Sequence, residues 1–176
     1  MYALPSRGNL QIVEQEGQLE VHTSSHRGSF SMVFSEALRD AGLGSQVLIA
    51  QFLKGGVSQG SKKGIQLCGR LEWLRPNFAC CINENYFSDN DDSKEFQEAI
   101  DEIWNACQEK LQNNKINKLV LDEIGLAIKL GFIEEENLIS ALEKRPKSID
   151  VIITGPSIPS KIMSMANQVT QLRCSK

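Results

Sequence analysis

Long apolar runs are missing from this chain: no stretch approaches the roughly 20 residues that a membrane-spanning helix needs. An excess of positive charge is missing too. Lysine and arginine number 19 against 22 aspartates and glutamates, for a formal net charge of −3. No global basic field therefore draws the chain to nucleic acid or to an anionic membrane surface. The start, Met1-Tyr2-Ala3-Leu4-Pro5, lacks the basic and then apolar regions of a secretory leader. The expectation from these absences is a cytoplasmic protein that binds neither nucleic acid nor membrane. Cysteine is sparse and odd in number (Cys68, Cys80, Cys81, Cys107 and Cys174), with no C-x-x-C spacing, which argues against a disulfide framework or a zinc site. The Cys80-Cys81 pair lies in an apolar stretch and is expected to be buried, acting as two small hydrophobes. Histidine is nearly absent. His22 and His26 have no ligand cluster at usable spacing, and His22, at a strand end, reads as structural. No Ser/His/Asp or Cys/His arrangement is legible, so no catalytic residue is assigned.

What is present suits one domain: 176 residues, 41% hydrophobic and 23% charged. Residues 1–18 are polar and lack periodicity, and read as an N-terminal arm or an edge hairpin through 10–13. The domain proper is expected over 19–176. A strand over 19–22 leads into a helix over 29–41, where Met32, Val33, Ala37 and Leu38 recur at helical spacing. The run 46–53 (Gln-Val-Leu-Ile-Ala-Gln-Phe-Leu) reads as a strand buried on both faces. Residues 54–64, rich in glycine, serine and lysine, predict a mobile loop. A short strand is expected within 65–74, and an irregular segment over 76–87. Phe96, Ile100, Ile103, Trp104, Cys107 and Leu111 form a single stripe on a helix over 93–112. A strand over 118–121, helices over 124–130 and 134–144, a strand over 149–154, a helix near 159–166 and a strand over 168–173 complete the pattern. Strands alternating with helices predict an α/β fold: three layers around a mostly parallel sheet covered on both faces.

In such sheets ligands bind beyond the carboxyl ends of the strands. Three segments fall there. Thr23-Ser24-Ser25-His26-Arg27-Gly28-Ser29-Phe30-Ser31 joins the first strand to the first helix, where backbone N–H groups and a helix N-terminus can cradle phosphate. A working loop reads G-x-x-x-x-G-K-[ST]. Aligned on Gly28, the lysine position is Ser29 and the hydroxyl position is Phe30. His26 and Arg27 remain as candidate anion donors. Leu119-Val120-Leu121-Asp122-Glu123 ends an apolar strand in two acids, which fits either a Mg²⁺-holding strand tip or a solvated pair capping the next helix. Residues 55–87 hold Trp73, Phe78 and Tyr86, which either line a pocket for a planar ligand or pack against the sheet.

Further motifs carry a resemblance. Gln51-Phe52-Leu53-Lys54-Gly55 is similar to a Q-F-x-K-G element. The run 121–132 resembles an Asp-Glu segment followed by alanine, lysine and glycine. Arg145-Pro146, Thr154-Gly155 and the closing Ala166-Asn167-Gln168-Val169-Thr170-Gln171-Leu172-Arg173 follow in order. Together they resemble the P-loop-type ATP:corrinoid adenosyltransferases over nearly the whole chain after residue 19. The resemblance implies a P-loop NTPase-like (RecA-like) domain that binds ATP, Mg²⁺ and a Co(I) corrinoid and transfers the 5′-deoxyadenosyl group. It also implies a homodimer, for which the sequence offers no obvious interface. By this resemblance Thr23, Ser24, Ser25, His26, Arg27, Gly28 and Ser29 would hold the nucleotide. Gln51, Phe52, Lys54, Asn77 and Phe78 would lie near the ligands, and Asp122 and Glu123 would serve the metal. The family's loop reads T-G-x-G-K-G-K-T-T, whereas here serine and histidine replace its first two glycines at 24 and 26, and Ser29 and Phe30 replace lysine and threonine. Removing one charge-stabilising donor costs roughly 2.7–4 kcal/mol in a transition state. The expectation is therefore either a divergent enzyme, with Arg27 compensating, or a non-catalytic descendant, a pseudoenzyme binding nucleotide, corrinoid or protein.

Overall fold

The structure, a computed structural model, describes residues 16–28, 30–83 and 93–173. The readings made for residues 1–15, Ser29, Tyr86, 89–92 and Cys174 lie outside them. In chain order the elements are β1 (Leu19–Ser24), α1 (Ser31–Gly42), β2 (Val47–Gln51), β3 (Ile65–Leu67), β4 (Leu71–Leu74), α2 (Ser93–Gln112), β5 (Lys118–Asp122), α3 (Ile124–Lys129), α4 (Glu135–Lys144), β6 (Asp150–Thr154), α5 (Ser160–Met165) and β7 (Gln168–Leu172). They form one seven-stranded sheet in the order β3-β4-β2-β5-β6-β1-β7. Every neighbouring pair is parallel except β3 with β4. This is an α/β arrangement of the P-loop NTPase-like kind.

The central strands are apolar on both sides because both sides are covered. Period-two alternation sorts their residues. Leu48, Ala50, Leu119, Leu121, Val151 and Ile153 face the larger core, built with α2, α3, α4 and α5. Val47, Ile49, Val120 and Ile152 face a smaller core under α1, closed by Val33, Ala37 and Ala41. The layers are thus unequal, one helix against four. On β1 and β7 the α1-side positions Glu20, His22, Gln168 and Thr170 are polar and none is buried. Two paired asparagines fix the lower edge. Asn117 N–H donates to the Gln46 carbonyl at 2.8 Å and its side-chain oxygen accepts from Gln46 N–H at 2.8 Å. Asn167 does the same for Leu19, at 2.8 and 2.7 Å.

Four expectations are corrected. The segment 65–74 holds a hairpin, not one short strand: Leu67 pairs with Leu71, and in the three-residue reversal between them Cys68 (φ 52°) and Gly69 (φ 69°) take the two positive φ angles. The loop 54–64 is folded down. Gly56 N–H and Gly60 N–H donate to the carbonyls of Pro76 and Arg75 at 3.1 and 3.0 Å, and Ser61 gives its N–H and its hydroxyl to Glu102 of α2. Helix α1 starts at Ser31, with Phe30 at its N-cap and no side-chain capping bond. Finally, Cys81 and Cys68 are exposed and Cys80 is half-buried, leaving Cys107 as the buried thiol among those described. The chain from 76 to 82 runs along the sheet rim, so only alternate residues such as Phe78 and Ile82 turn inward.

Candidate functional site

The sheet register places Gln51 beside Asp122, Asp122 beside Thr154, and Thr154 beside His22. Partners in a parallel sheet share a face, and these positions continue the α1-side rows of Ile49, Val120 and Ile152. A polar row therefore crosses the carboxyl edge of the sheet at one level, next to the start of α1. Gln51, Asp122 and Thr154 are all buried, and a buried carboxylate is tolerated only when it is hydrogen-bonded or paired.

Both oxygens of Asp122 are partnered. Its Oδ1 accepts from Thr154 Oγ1 at 2.7 Å, and its Oδ2 from Gln51 Nε2 at 2.6 Å and Lys54 Nζ at 3.1 Å. Gln51 is held in turn: its Oε1 accepts from Trp73 Nε1 at 3.0 Å and Arg75 Nε at 2.8 Å. The Arg75 guanidinium lies over the Trp73 ring at 5.3 Å, and that ring stacks on Phe34 of α1, centroids 5.3 Å apart.

Glu123 sits at the N-cap of α3 with φ 62°, a left-handed conformation fixed by its N–H donating to the Thr154 carbonyl at 2.8 Å. Gly155 (φ 117°) packs beneath it, where an added Cβ would stand 3.0 Å from Glu123 Cα. The Glu123 side chain is 2% exposed. Arg27 reaches across from the β1–α1 loop and engages it with both arms, Nε to Oε1 at 2.7 Å and Nη2 to Oε2 at 2.5 Å. Its Nη1 donates to the Ile82 carbonyl at 2.5 Å. The hydrogen bonds that Arg27 donates to Glu123 push its guanidinium further above an already high range, with burial opposing. Lys54 Nζ stands 3.7 Å from Glu123 Oε1 as well. Two cations and two carboxylates thus form one network across β2, β5 and the first loop.

The remaining candidates divide. Ser24 donates its hydroxyl to the His26 carbonyl, tightening the loop. Thr23 ends in the half-buried part of β1, while Ser25, His26 and Gly28 are exposed. Ser29 is outside the described residues. Phe30 is 4% exposed and packs with Val33, Val47, Ile49, Val120 and Ile152, so the ring standing at the hydroxyl position is part of the core. Phe78 is buried edge-on against Phe96, centroids 4.9 Å apart, and Phe52 is fully buried; both belong to the core. His22 pairs with Glu20 at 3.3 Å, in keeping with a structural role. Beside Lys54, an open depression of about 350 Å³ is lined by Gly55, Val57, Ala79 and Cys81. Sequence reading named Trp73 only among aromatics that either line a pocket or pack on the sheet, quoted Thr154 only within a motif, and did not single out Arg75 or the Ile82 carbonyl. Thr154 could have been found as the polar end of a buried strand. The others depend on strand order, which local pattern does not carry.

The residues present do not fit a divalent cation as they stand. Asp122 and Glu123 already take their bonds from protein donors. The position where a metal-facing hydroxyl would stand is the buried Phe30 ring. Among the described residues no group of three His, Cys, Asp or Glu side chains converges to hold a metal.

The family model described as ATP:corrinoid adenosyltransferase BtuR/CobO/CobP matches residues 15–176. The corrinoid adenosyltransferase of Escherichia coli strain K12 is 26% identical over 163 residues, covering 93% of this chain and 80% of that protein. The corrinoid adenosyltransferase CobA of Salmonella typhimurium is 27% identical over 163 residues, with the same coverage. The corrinoid adenosyltransferase of Pseudomonas aeruginosa is 24% identical over 166 residues, covering 94% of this chain and 79% of that protein.

Proposed function

The chain belongs to the ATP:corrinoid adenosyltransferase family, and from that premise we propose that it is a ligand-binding member in which adenosyl transfer from ATP has fallen to a trace. The single observation that carries this reading is the four-charge network of Arg27, Glu123, Lys54 and Asp122. In the transfer reaction, cationic groups must neutralise charge developing on a triphosphate leaving group. Here both cations nearest the strand tips are committed to the chain's own carboxylates. The lysine of the loop is replaced by serine and the hydroxyl by a core phenylalanine. The ligands proposed for the rim are a nucleotide at the β1–α1 loop and a corrinoid in the depression beside Lys54. The scaffold that would present them, Gln51, Asp122 and Thr154 at one level, is intact. No helix among the described residues is long and apolar enough to cross a membrane; a cytoplasmic location is part of this proposal.

The test is direct. A Co(I) corrinoid is mixed with ATP, Mg²⁺ and the full chain, and the adenosylcorrinoid absorption is followed against a family member with an intact G-K-T loop. The expected rate is lower by on the order of 10²-fold or more, the cost of losing one charge-stabilising donor. A rate within tenfold of the intact relative refutes the reading. It would favour instead a divergent transferase, for which Lys54, half-buried between the two carboxylates and the depression, is the group to examine first.

A further inference from the structure

Resting on the reading of this rim as a polyphosphate site, we propose that Arg27 is a gate. In the ligand-free chain its guanidinium is held by Glu123, and a triphosphate is admitted, without a divalent metal, by drawing Arg27 off that carboxylate.

Four observations carry this. The first is the mismatch with a metal: each oxygen of the two acids already accepts from a protein donor, while a polyanion meets one cation, Arg27, a single exchange away. The second is the unequal freedom of the two partners. Glu123 is fixed by its buried, left-handed backbone and its bond to Thr154. Arg27 lies on a loop whose neighbours Ser25, His26 and Gly28 are exposed, and a Cβ added at Gly28 would find its nearest neighbour only at 4.0 Å. The Arg27 side chain is 26% exposed against 2% for Glu123, so it is the partner nearer solvent, and its departure also breaks its bond to the Ile82 carbonyl. The third is the standby cation. Lys54 Nζ, 3.1 Å from Asp122 Oδ2 and 3.7 Å from Glu123 Oε1, stays between the two carboxylates when Arg27 leaves, so opening leaves the buried pair one shared cation rather than none. The fourth is the destination. Helix α1 has 12 residues, no acid in its first turn and no side-chain capping bond at Phe30. Its first N–H groups therefore face the loop with their positive end uncompensated. The departing Arg27, exposed His26 and this helix end would meet the anion together.

The experiment is a calorimetric titration of the full chain with inorganic triphosphate, once in EDTA and once in Mg²⁺, using the native protein and Glu123→Gln. The gate predicts that Mg²⁺ changes the native affinity by no more than about threefold. Freeing Arg27 by Glu123→Gln should tighten metal-free binding by on the order of tenfold, the usual size of a coupling of this kind. Mg²⁺ tightening native binding tenfold or more overturns the gate alone, since the rim then binds as a metal–phosphate site. A Glu123→Gln protein with unchanged melting and unchanged or weaker affinity overturns it as well. Absence of triphosphate binding by both proteins overturns the gate together with the nucleotide part of the proposed function. If Glu123→Gln does not fold, the Arg27 Nε–H resonance of the native chain supplies the readout. The gate requires triphosphate, and not Mg²⁺, to shift it; a signal unmoved by saturating triphosphate contradicts it.

Discussion

At the scale of single residues, Phe30 decides how this site is to be understood. A phenylalanine at the hydroxyl position of a phosphate loop could have been a simple loss, correctable by restoring threonine. The ring is instead a core residue under α1. Phe30→Thr should therefore cost about 3 kcal/mol or more, in the range of large-to-small core changes, with a buried hydroxyl adding to it. Melting should fall by roughly 6 °C or more. A thermal scan showing an unchanged midpoint would mean the ring is not packed as described. Cys107 offers a pH test. Burial pushes its thiol up to about 12 from an ordinary 9.0, because the fold accepts only the neutral form. Its contribution to stability is complete below pH 9. It is lost as pH rises toward 12, at about 1.4 kcal/mol per pH unit within that window. Urea unfolding of Cys107→Ala should show a shallower decline than the native chain between those pH values. Equal slopes would contradict the burial of that thiol. Residue identity alone did not disclose these roles. Phe30 was legible as a departure from a phosphate loop but not as a core residue, since its burial depends on where α1 crosses the sheet.

At the scale of elements, the central strands and α2 were legible because their patterns are unambiguous: apolar runs buried on both faces, and one stripe at steps of three and four. The segment 54–64 was not. Its glycines and serines suggested mobility, yet long-range bonds to Glu102, Arg75 and Pro76 hold it. Contacts of that separation leave no periodic trace in sequence. Glu102→Gln should weaken the anchoring of Ser61. Global stability should fall by no more than about 1 kcal/mol, the worth of an exposed hydrogen bond, while amide exchange at Gly60 and Ser61 should speed up severalfold. Exchange unchanged there would mean the loop is held by its backbone bonds alone. Gly55 is the stricter position, since a Cβ there would lie 2.1 Å from the Phe78 carbonyl oxygen. Gly55→Ala should displace the whole rim segment and lower melting more than Glu102→Gln does.

At the scale of the whole molecule, strand order brings together what the chain separates. Arg27 and Glu123 are 96 residues apart in sequence, and Gln51 and Asp122 are 71 apart. The order β2-β5-β6-β1 sets their strand tips side by side. The acidic strand end and the altered loop were both readable in the sequence; that they would neutralise each other was not. The sheet sets Gln51, Asp122 and Thr154 at one level, and the cations beside them, Arg27 and Lys54, are bonded to Glu123 and Asp122; under the proposed function these are the charges a metal–triphosphate would need.

The most direct test of that claim is a crystal of the full chain grown with ATP and Mn²⁺, examined for anomalous scattering at the strand tips. The account predicts no manganese peak between Asp122 and Glu123, with Gln51, Lys54 and Thr154 still bonded to Asp122. An ordered manganese bound to Asp122, beneath a triphosphate seated on the loop at Gly28, would contradict it.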